Sequence, residues 1–381
     1  MQSVAIGWYL YDLTGDPMAL AYVGLAVFVP IALFTLPGGD VADRVDRRRI
    51  LGVAHLVQAG CSGALVFLIL GKIEPWAFYA VLAASGTARA FSAPAVSSFI
   101  PFLVPREQFP QAVAWGSSAN QIATVLGPAL GGYVYLAGPE VTFSTCVVMS
   151  LLVAASMFGI RARGGVAAAP AGSALSRLMD GLSYLRRNRI LLGAISLDLF
   201  AVLLGSVTAL LPVFARDILA VGPDGLGLMR SCVAIGAVSM GLVLAHLPPA
   251  RQPHAGNALF AGVAVFGMAA MVFGLSTVFA LSLAALVVMG AADMVSVFVR
   301  NSVVQLATPD PMRGRVSAVH SLFIGTANEL GDFRAGAAAA TLGAVPAVLA
   351  GGLATLGVVG VWAWRFPELR SVARLADVKG T

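Results

Sequence analysis

Gly38-Gly39-Asp40-Val41-Ala42-Asp43-Arg44-Val45-Asp46-Arg47-Arg48-Arg49 (GGDVADRVDRRR, residues 38–49) separates two long apolar runs. Seven of these twelve residues are charged, in a chain that is 11% charged. Charge at that density is excluded from hydrocarbon. The stretch is therefore predicted to be a short turn between two membrane helices. Four arginines beside helix ends favour the cytoplasmic side, because basic residues are retained there during insertion.

Working outward, the composition agrees. The chain has 381 residues, 59% of them hydrophobic, and a mean hydropathy of +0.88. Those values belong to an all-α polytopic membrane protein. Helices span because they satisfy their own backbone hydrogen bonds in lipid. The net charge of +6 raises nucleic acid as a partner, but the arginines sit in alternate loops of a membrane chain. Cys61, Cys146 and Cys232 lie far apart in apolar runs, without metal or redox spacing, and read as small packing residues. There is no nucleotide-binding loop, Ser–His–Asp arrangement or metal-ligand cluster, so neither an enzyme nor an ATP-driven pump is expected.

Twelve apolar segments are expected, at 1–13, 18–37, 49–71, 75–100, 109–137, 140–160, 190–214, 225–247, 256–275, 277–299, 314–342 and 345–366. The first is short. Thirteen helical residues extend about 20 Å, less than a bilayer core of about 30 Å. A truncated or late-started first helix is the expectation, with no basic stretch ahead of Val4–Leu10 to mark a cleavable signal. With residues 38–49 cytoplasmic, 19 of the 24 basic residues fall on that side, Arg300 counted among them, and only Lys72 and Arg216 on the other. Both termini are then expected in the cytoplasm of a plasma-membrane protein.

The predicted organisation is a six-helix bundle at 1–160, a linker at 161–189, a second six-helix bundle at 190–366 and a tail at 367–381. The linker begins with GGVAAAPAGSA and continues as SRLMDGLSYLRR. Leu178, Leu182 and Leu185 share one face there, the pattern of a helix lying in the membrane interface. A shift of 204 residues places Gly86 on Gly290, Pro105 on Pro309, Ser117 on Ser321, Gly127 on Gly331 and Gly132 on Gly336. The glycine and serine pairs join the fourth segment to the tenth or the fifth to the eleventh, and the proline pair falls in the connections between them, which implies two related halves.

Gly39, then Asp43-Arg44, then Arg47-Arg48 resembles the signature loop between helices 2 and 3 of the major facilitator superfamily. One position departs, since Asp46 stands where the family has a second glycine. Gly127-Pro128-Ala129-Leu130-Gly131-Gly132 is similar to a shortened form of the glycine-proline signature on helix 5 of antiporters in that superfamily. Small residues let helices touch, and proline permits bending; plain tight packing is the other reading. ARAFSAPAVSSFIP (88–101), LVPREQ (103–108), Leu211–Arg216, Thr308-Pro309-Asp310 and Arg313-Gly314-Arg315-Val316 resemble the subfamily of siderophore exporters that includes the enterobactin exporter. The resemblance implies secondary active transport by alternating access between two pseudo-symmetric bundles. It also implies that Gly39, Asp43, Arg44, Arg47 and Arg48 form a conformational latch, with Asp43 meeting the start of helix 11 near Arg313–Ser317.

Ionisable residues inside spans are the site candidates, because burying a charge is costly unless it is paired or used. Arg89, Asp198 and Asp293 fall in segments four, seven and ten. The resemblance implies that these segments line the central cavity. An aspartate there would change its proton affinity as exposure alternates, coupling transport to a proton gradient with no cofactor. A static Arg–Asp packing pair is the alternative. Glu329, Asp332 and Arg334 crowd segment eleven and are secondary candidates, either a solvated structural cluster or a coupling site. His55 and His320 receive no role. The leading expectation is proton-coupled export of a siderophore-like or amphipathic small molecule by a monomer. The alternatives are a proton-coupled uptake permease and an inactive or scaffold membrane protein.

Overall fold

The computed structural model describes residues 1–97, 99, 103–160, 174–246 and 254–370. Among these residues every regular element is helical. The order is α1 (Gln2–Thr14), α2 (Pro17–Arg44), α3 (Arg47–Leu70), α4 (Pro75–Ser97), α5 (Phe109–Tyr135), α6 (Pro139–Gly159), α7 (Ala174–Arg187), α8 (Arg189–Gly205), α9 (Leu211–Val213), α10 (Pro223–His246), α11 (Ala255–Leu275), α12 (Phe279–Ala307), α13 (Asp310–Leu342), α14 (Ala344–Arg365) and α15 (Pro367–Arg370).

Eight of the helical stretches described are long and apolar enough to cross a membrane, with α8 and α9 counted as one stretch through Ile218. Of the twelve predicted segments, those at α1, α4, α5 and α13 fall outside that set. The first has 13 residues. The other three are long, but polar side chains lower their hydropathy: Ser85, Thr87 and Arg89 on α4, Ser117, Asn120 and Gln121 on α5, and five charged residues from Arg313 to Arg334 on α13. The protein is an all-α polytopic membrane protein.

Local chemistry sets the helix ends. Gly15 closes α1 in the left-handed region at φ 65°, which costs glycine little. Asn188 caps α8 by accepting from the Leu191 N–H at 3.1 Å. Residues 38–49 depart from the predicted turn. Helix α2 continues through Arg44 and α3 begins at Arg47, so only Val45 and Asp46 lie between them. Charged residues are compatible with helix once the chain has left the apolar run, and nothing before Val45 stops propagation.

The chain forms two compact units, Met1–Gly15 with Tyr22–Leu175, and Asp16–Ala21 with Ser176–Thr381. In the first, Leu10, Leu65, Phe78 and Phe143 build a core among α1, α3, α4 and α6. In the second, α8, α11, α12, α13 and α14 surround Leu191, Leu197, Leu259, Val303 and Val316. Helix pairing repeats between the units. In the first unit α1 packs on α5, and α3 on both α4 and α6. In the second unit α8 packs on α13, and α11 on both α12 and α14. The repeated glycines serve the same contact. A Cβ on Gly86 would lie 2.7 Å from the Val27 carbonyl oxygen of α2, and one on Gly290 would run into that of Val233 on α10. In each case a helix can touch its neighbour only because no side chain intervenes.

Helix α7 corrects the expectation of a membrane-interface helix. Leu185 is fully buried, and Leu178 and Leu182 pack on the same core of the second unit. Its backbone comes close to α13 at Gly181, where a Cβ would meet the Arg315 carbonyl at 2.5 Å. Tyr184 Oη donates to the Ala307 carbonyl at 3.1 Å, and Arg315 pairs with Asp180 at 3.0 Å. These three leucines therefore pack on protein. The GGVAAAPAGS part of the linker, Arg251 and the tail from 371 onward lie outside the described residues.

Candidate functional site

The second unit places three charged or titratable side chains at one level. Arg300, on α12, is 3% exposed and forms an ion pair with Asp198 of α8, itself 5% exposed. His320 of α13, 6% exposed, lies close enough to Arg300 to feel its charge. Sequence counting had put Arg300 in a cytoplasmic loop. The structure corrects this, because α12 runs on to Ala307 and carries Arg300 into the helix packing.

A small cavity adjoins the pair, lined by Asp198, Ala201, Val202, Val263, Phe266, Asp293 and Ser296. Asp293, Ser296 and Arg300 follow an i, i+3, i+7 spacing and so share one face of α12. Gly262 brings α11 close, since a Cβ there would lie 3.0 Å from the Ala292 carbonyl; this positions Val263 and Phe266 as the apolar wall. Asp293 has no ion pair or hydrogen bond among the described residues. The buried Ser296 Oγ likewise lacks a hydrogen-bond partner there, as does His320 Nε2. Polar atoms so placed are normally satisfied by water or ligand. The sequence had singled out Asp198 and Asp293, and the structure brings them to one cavity. It had missed Arg300 and Ser296; the polar spacing along α12 was the available signal.

A second polar cluster forms where α8 breaks. After Gly205 the chain passes through a 3-10 turn at Thr208–Leu210, then α9, then a π turn at Phe214–Ile218. Irregular backbone at membrane depth must find partners inside the protein. Asp332 supplies them. It accepts from Ser206 Oγ at 2.6 Å and from the Ala209 N–H, while Arg230 and Arg334 act on its charge. Glu329 is half-buried on the same helix.

The whole-chain comparison agrees with this architecture. The family model for transmembrane secretion effectors matches residues 1–378. The chain belongs to this family of major facilitator superfamily transporters. It resembles macrolide efflux protein A of Streptococcus pyogenes, 25% identical over 246 residues, a match covering 63% of this chain and 61% of that protein. It also resembles the enterobactin exporter EntS of Escherichia coli O1:K1 / APEC, 22% identical over 349 residues, covering 90% of this chain and 81% of that one. A bacterial homologue of the human lysosomal transporter Spinster, in an inward-facing and occupied conformation, shares the fold with a TM-score of 0.72 at 13% identity, covering 98% of this chain and 93% of that one.

The remaining residues expected from the superfamily resemblance lie in the first unit. Arg89 is exposed on α4 rather than buried. Gly39 is half-buried near the end of α2, Arg44 is exposed and Arg47 is buried. The backbone of Asp43 belongs to α2, and its side chain lies outside the described residues. Arg48 donates from Nη1 to the Ile160 carbonyl, tying the start of α3 to the end of α6. Asp46, the departure from the superfamily pattern, is the N-cap of α3 and accepts from the Arg48 N–H at 2.9 Å. Asp46→Ala should therefore cost about 1 kcal/mol of stability, and Asp46→Gly only a few tenths. Thermal unfolding in detergent reads both, and equal losses would remove the cap as the cause.

Gly127, Pro128, Gly131 and Gly132 all lie within α5. A Cβ on Gly131 would come within 2.6 Å of Met1 Cα, so this face of α5 touches α1 through backbone. His55 lies half-buried on α3. No group of three or more histidine, cysteine, aspartate or glutamate side chains is placed to hold a metal among the described residues.

Proposed function

We propose that this transporter exports a small amphipathic or siderophore-like molecule across the plasma membrane by alternating access, driven by inward proton movement. The observation that carries the reading is Asp293, a carboxylate with no charged partner among the described residues, in a cavity where the neighbouring Asp198 is neutralised by Arg300. The paired aspartate keeps its arginine as a partner and serves as a fixed element. The unpaired one can take and release a proton as its surroundings change. In this reading the protein works as a monomer with both termini in the cytoplasm. Gly39, Asp43, Arg44, Arg47 and Arg48 latch its cytoplasmic side, and no cofactor is used beyond the proton gradient.

The relatives support export, since two of them are efflux proteins by name. A screen of compound accumulation in a strain lacking its own exporters identifies a cargo, and proton flux is then measured in proteoliposomes. Asp293→Asn should abolish cargo-dependent proton flux while the variant remains folded in thermal unfolding. Flux at the wild-type rate in that variant would exclude Asp293 as the coupling group.

A further inference from the structure

The break after α8 gathers more positive charge than it uses. Arg230 of α10 and Arg334 of α13 both act on Asp332. The close contacts of that carboxylate are elsewhere, with the Ser206 hydroxyl at 2.6 Å and the Ala209 N–H. Neither guanidinium makes an ion pair or a hydrogen bond among the described residues, and Nε of each is buried without a partner. Glu329, one turn before Asp332, has a partner of its own. Two guanidinium groups thus share the field of one carboxylate, and one positive charge is left over. Such a charge is costly in a partly desolvated place unless a counter-charge meets it, and buried donors are normally satisfied.

We infer that Arg230 and Arg334 form a binding site for a carboxylate beside Asp332. The break itself explains why Asp332 does not fill that place. Its oxygens are committed to the irregular backbone and side chain at 206–209, so it cannot swing onto either arginine without releasing them. Small residues fix the geometry. A Cβ on Gly351 of α14 would lie 2.7 Å from the Leu204 carbonyl and 3.4 Å from Arg334 Nη2, so no side chain separates that guanidinium from the end of α8. A Cβ on Gly331 would lie 3.0 Å from the Val202 carbonyl, so α13 meets α8 through backbone just before Asp332. Both arginine side chains are half-buried. An end group can reach them from the accessible side, and no enclosed chamber is needed. Guanidinium presents parallel N–H donors that match the two oxygens of a carboxylate.

The inference goes beyond the export reading and stands without it, because binding is measured with no proton gradient and does not involve Asp293. Charge sets the ligand's valence. One added carboxylate brings two positive and two negative groups into balance, whereas a second negative charge on the ligand would meet Asp332 with nothing left to offset it. The carboxylate can belong to a free small anion or to an end group of the cargo. The chemistry at the arginines is the same in both cases, and an apolar body on the ligand tells them apart.

The test measures fluorescence of dansylglycine and of its neutral amide on the purified full-length protein, with empty micelles as the blank and ionic strength fixed. The acid should bind at least about tenfold more tightly than the amide, the gain of one charge-assisted hydrogen bond. Arg230→Gln and Arg334→Gln should each weaken the acid about tenfold and leave the amide unchanged. Asp332→Asn should do the opposite. It removes the competing charge, keeps an acceptor for Ser206, and should tighten the acid severalfold; a damaged fold cannot produce that gain. Equal affinity for acid and amide, an acid preference that survives both arginine substitutions together, or no tightening in Asp332→Asn overturns the inference. Competition then separates the sources. Acetate that displaces the probe assigns the site to free small carboxylates. Displacement by benzoate but not by acetate assigns it to a carboxylate carried on the cargo.

Discussion

Arg300→Met should destabilise the folded protein by about 3–5 kcal/mol, because it leaves Asp198 buried and without its counter-charge. The guanidinium and carboxylate are among the least exposed charges described, at 3% and 5%. Taking both out of water is costly, and their mutual attraction offsets that cost only while both are present. A companion variant, Asp198→Leu with Arg300→Met, should recover most of the loss, since an apolar pair of similar volume has no charge to desolvate. The double-mutant cycle should accordingly give a large coupling energy. Unfolding midpoints in detergent, with ligand absent, measure all four corners. A loss below about 1 kcal/mol for the single variant would mean that water reaches the pair and that it behaves as a surface bridge. Transport adds a separate readout. If the pair is only a fixed element, the double variant should still move protons through Asp293.

Gly290→Ala should destabilise the second unit by about 1–3 kcal/mol through overpacking. The added methyl would run into the Val233 carbonyl oxygen and meet the Val233 Cα at 3.0 Å. These are backbone atoms of a neighbouring helix, so no side-chain rotation relieves the clash. A Cβ on Gly236 would likewise run into the Val287 carbonyl from the other side, which makes the α10–α12 contact reciprocal. Gly86→Ala in the first unit, at 2.7 Å from the Val27 carbonyl, should act in the same direction with a smaller loss. Gly357→Ala provides the contrast. Nothing lies within 4 Å of its added Cβ, so helix propensity alone should stabilise it by up to about 1 kcal/mol. Thermal unfolding of the three variants tests the ranking. Equal effects at Gly290 and Gly357 would refute backbone contact as the reason for the repeated glycine.

Parts of the site were legible because charge inside an apolar run is conspicuous. Asp198 and Asp293 stand out in segments with no other acidic residue. Arg300 does not, since it follows a long apolar run and reads as the first charge outside the membrane. Its burial depends on how far α12 continues and on what α8 and α13 place beside it. Ser296 and His320 are ordinary residues in a helix until their neighbours are known. The leucine face of α7 was visible too, but amphipathicity does not distinguish a lipid partner from a protein partner.

Hydropathy, charge placement and the arginine-rich stretch at 38–49 were enough by themselves to determine an all-α polytopic membrane protein. Those properties follow from the cost of charge and unpaired backbone in hydrocarbon, which acts on each segment separately. Only the tertiary structure decided that Asp198 is neutralised and Asp293 is not, that Asp46 caps a helix, and that α7 binds protein. Each of these depends on a pairing between helices distant in sequence, and the energy of a buried polar group is set by the atom that meets it.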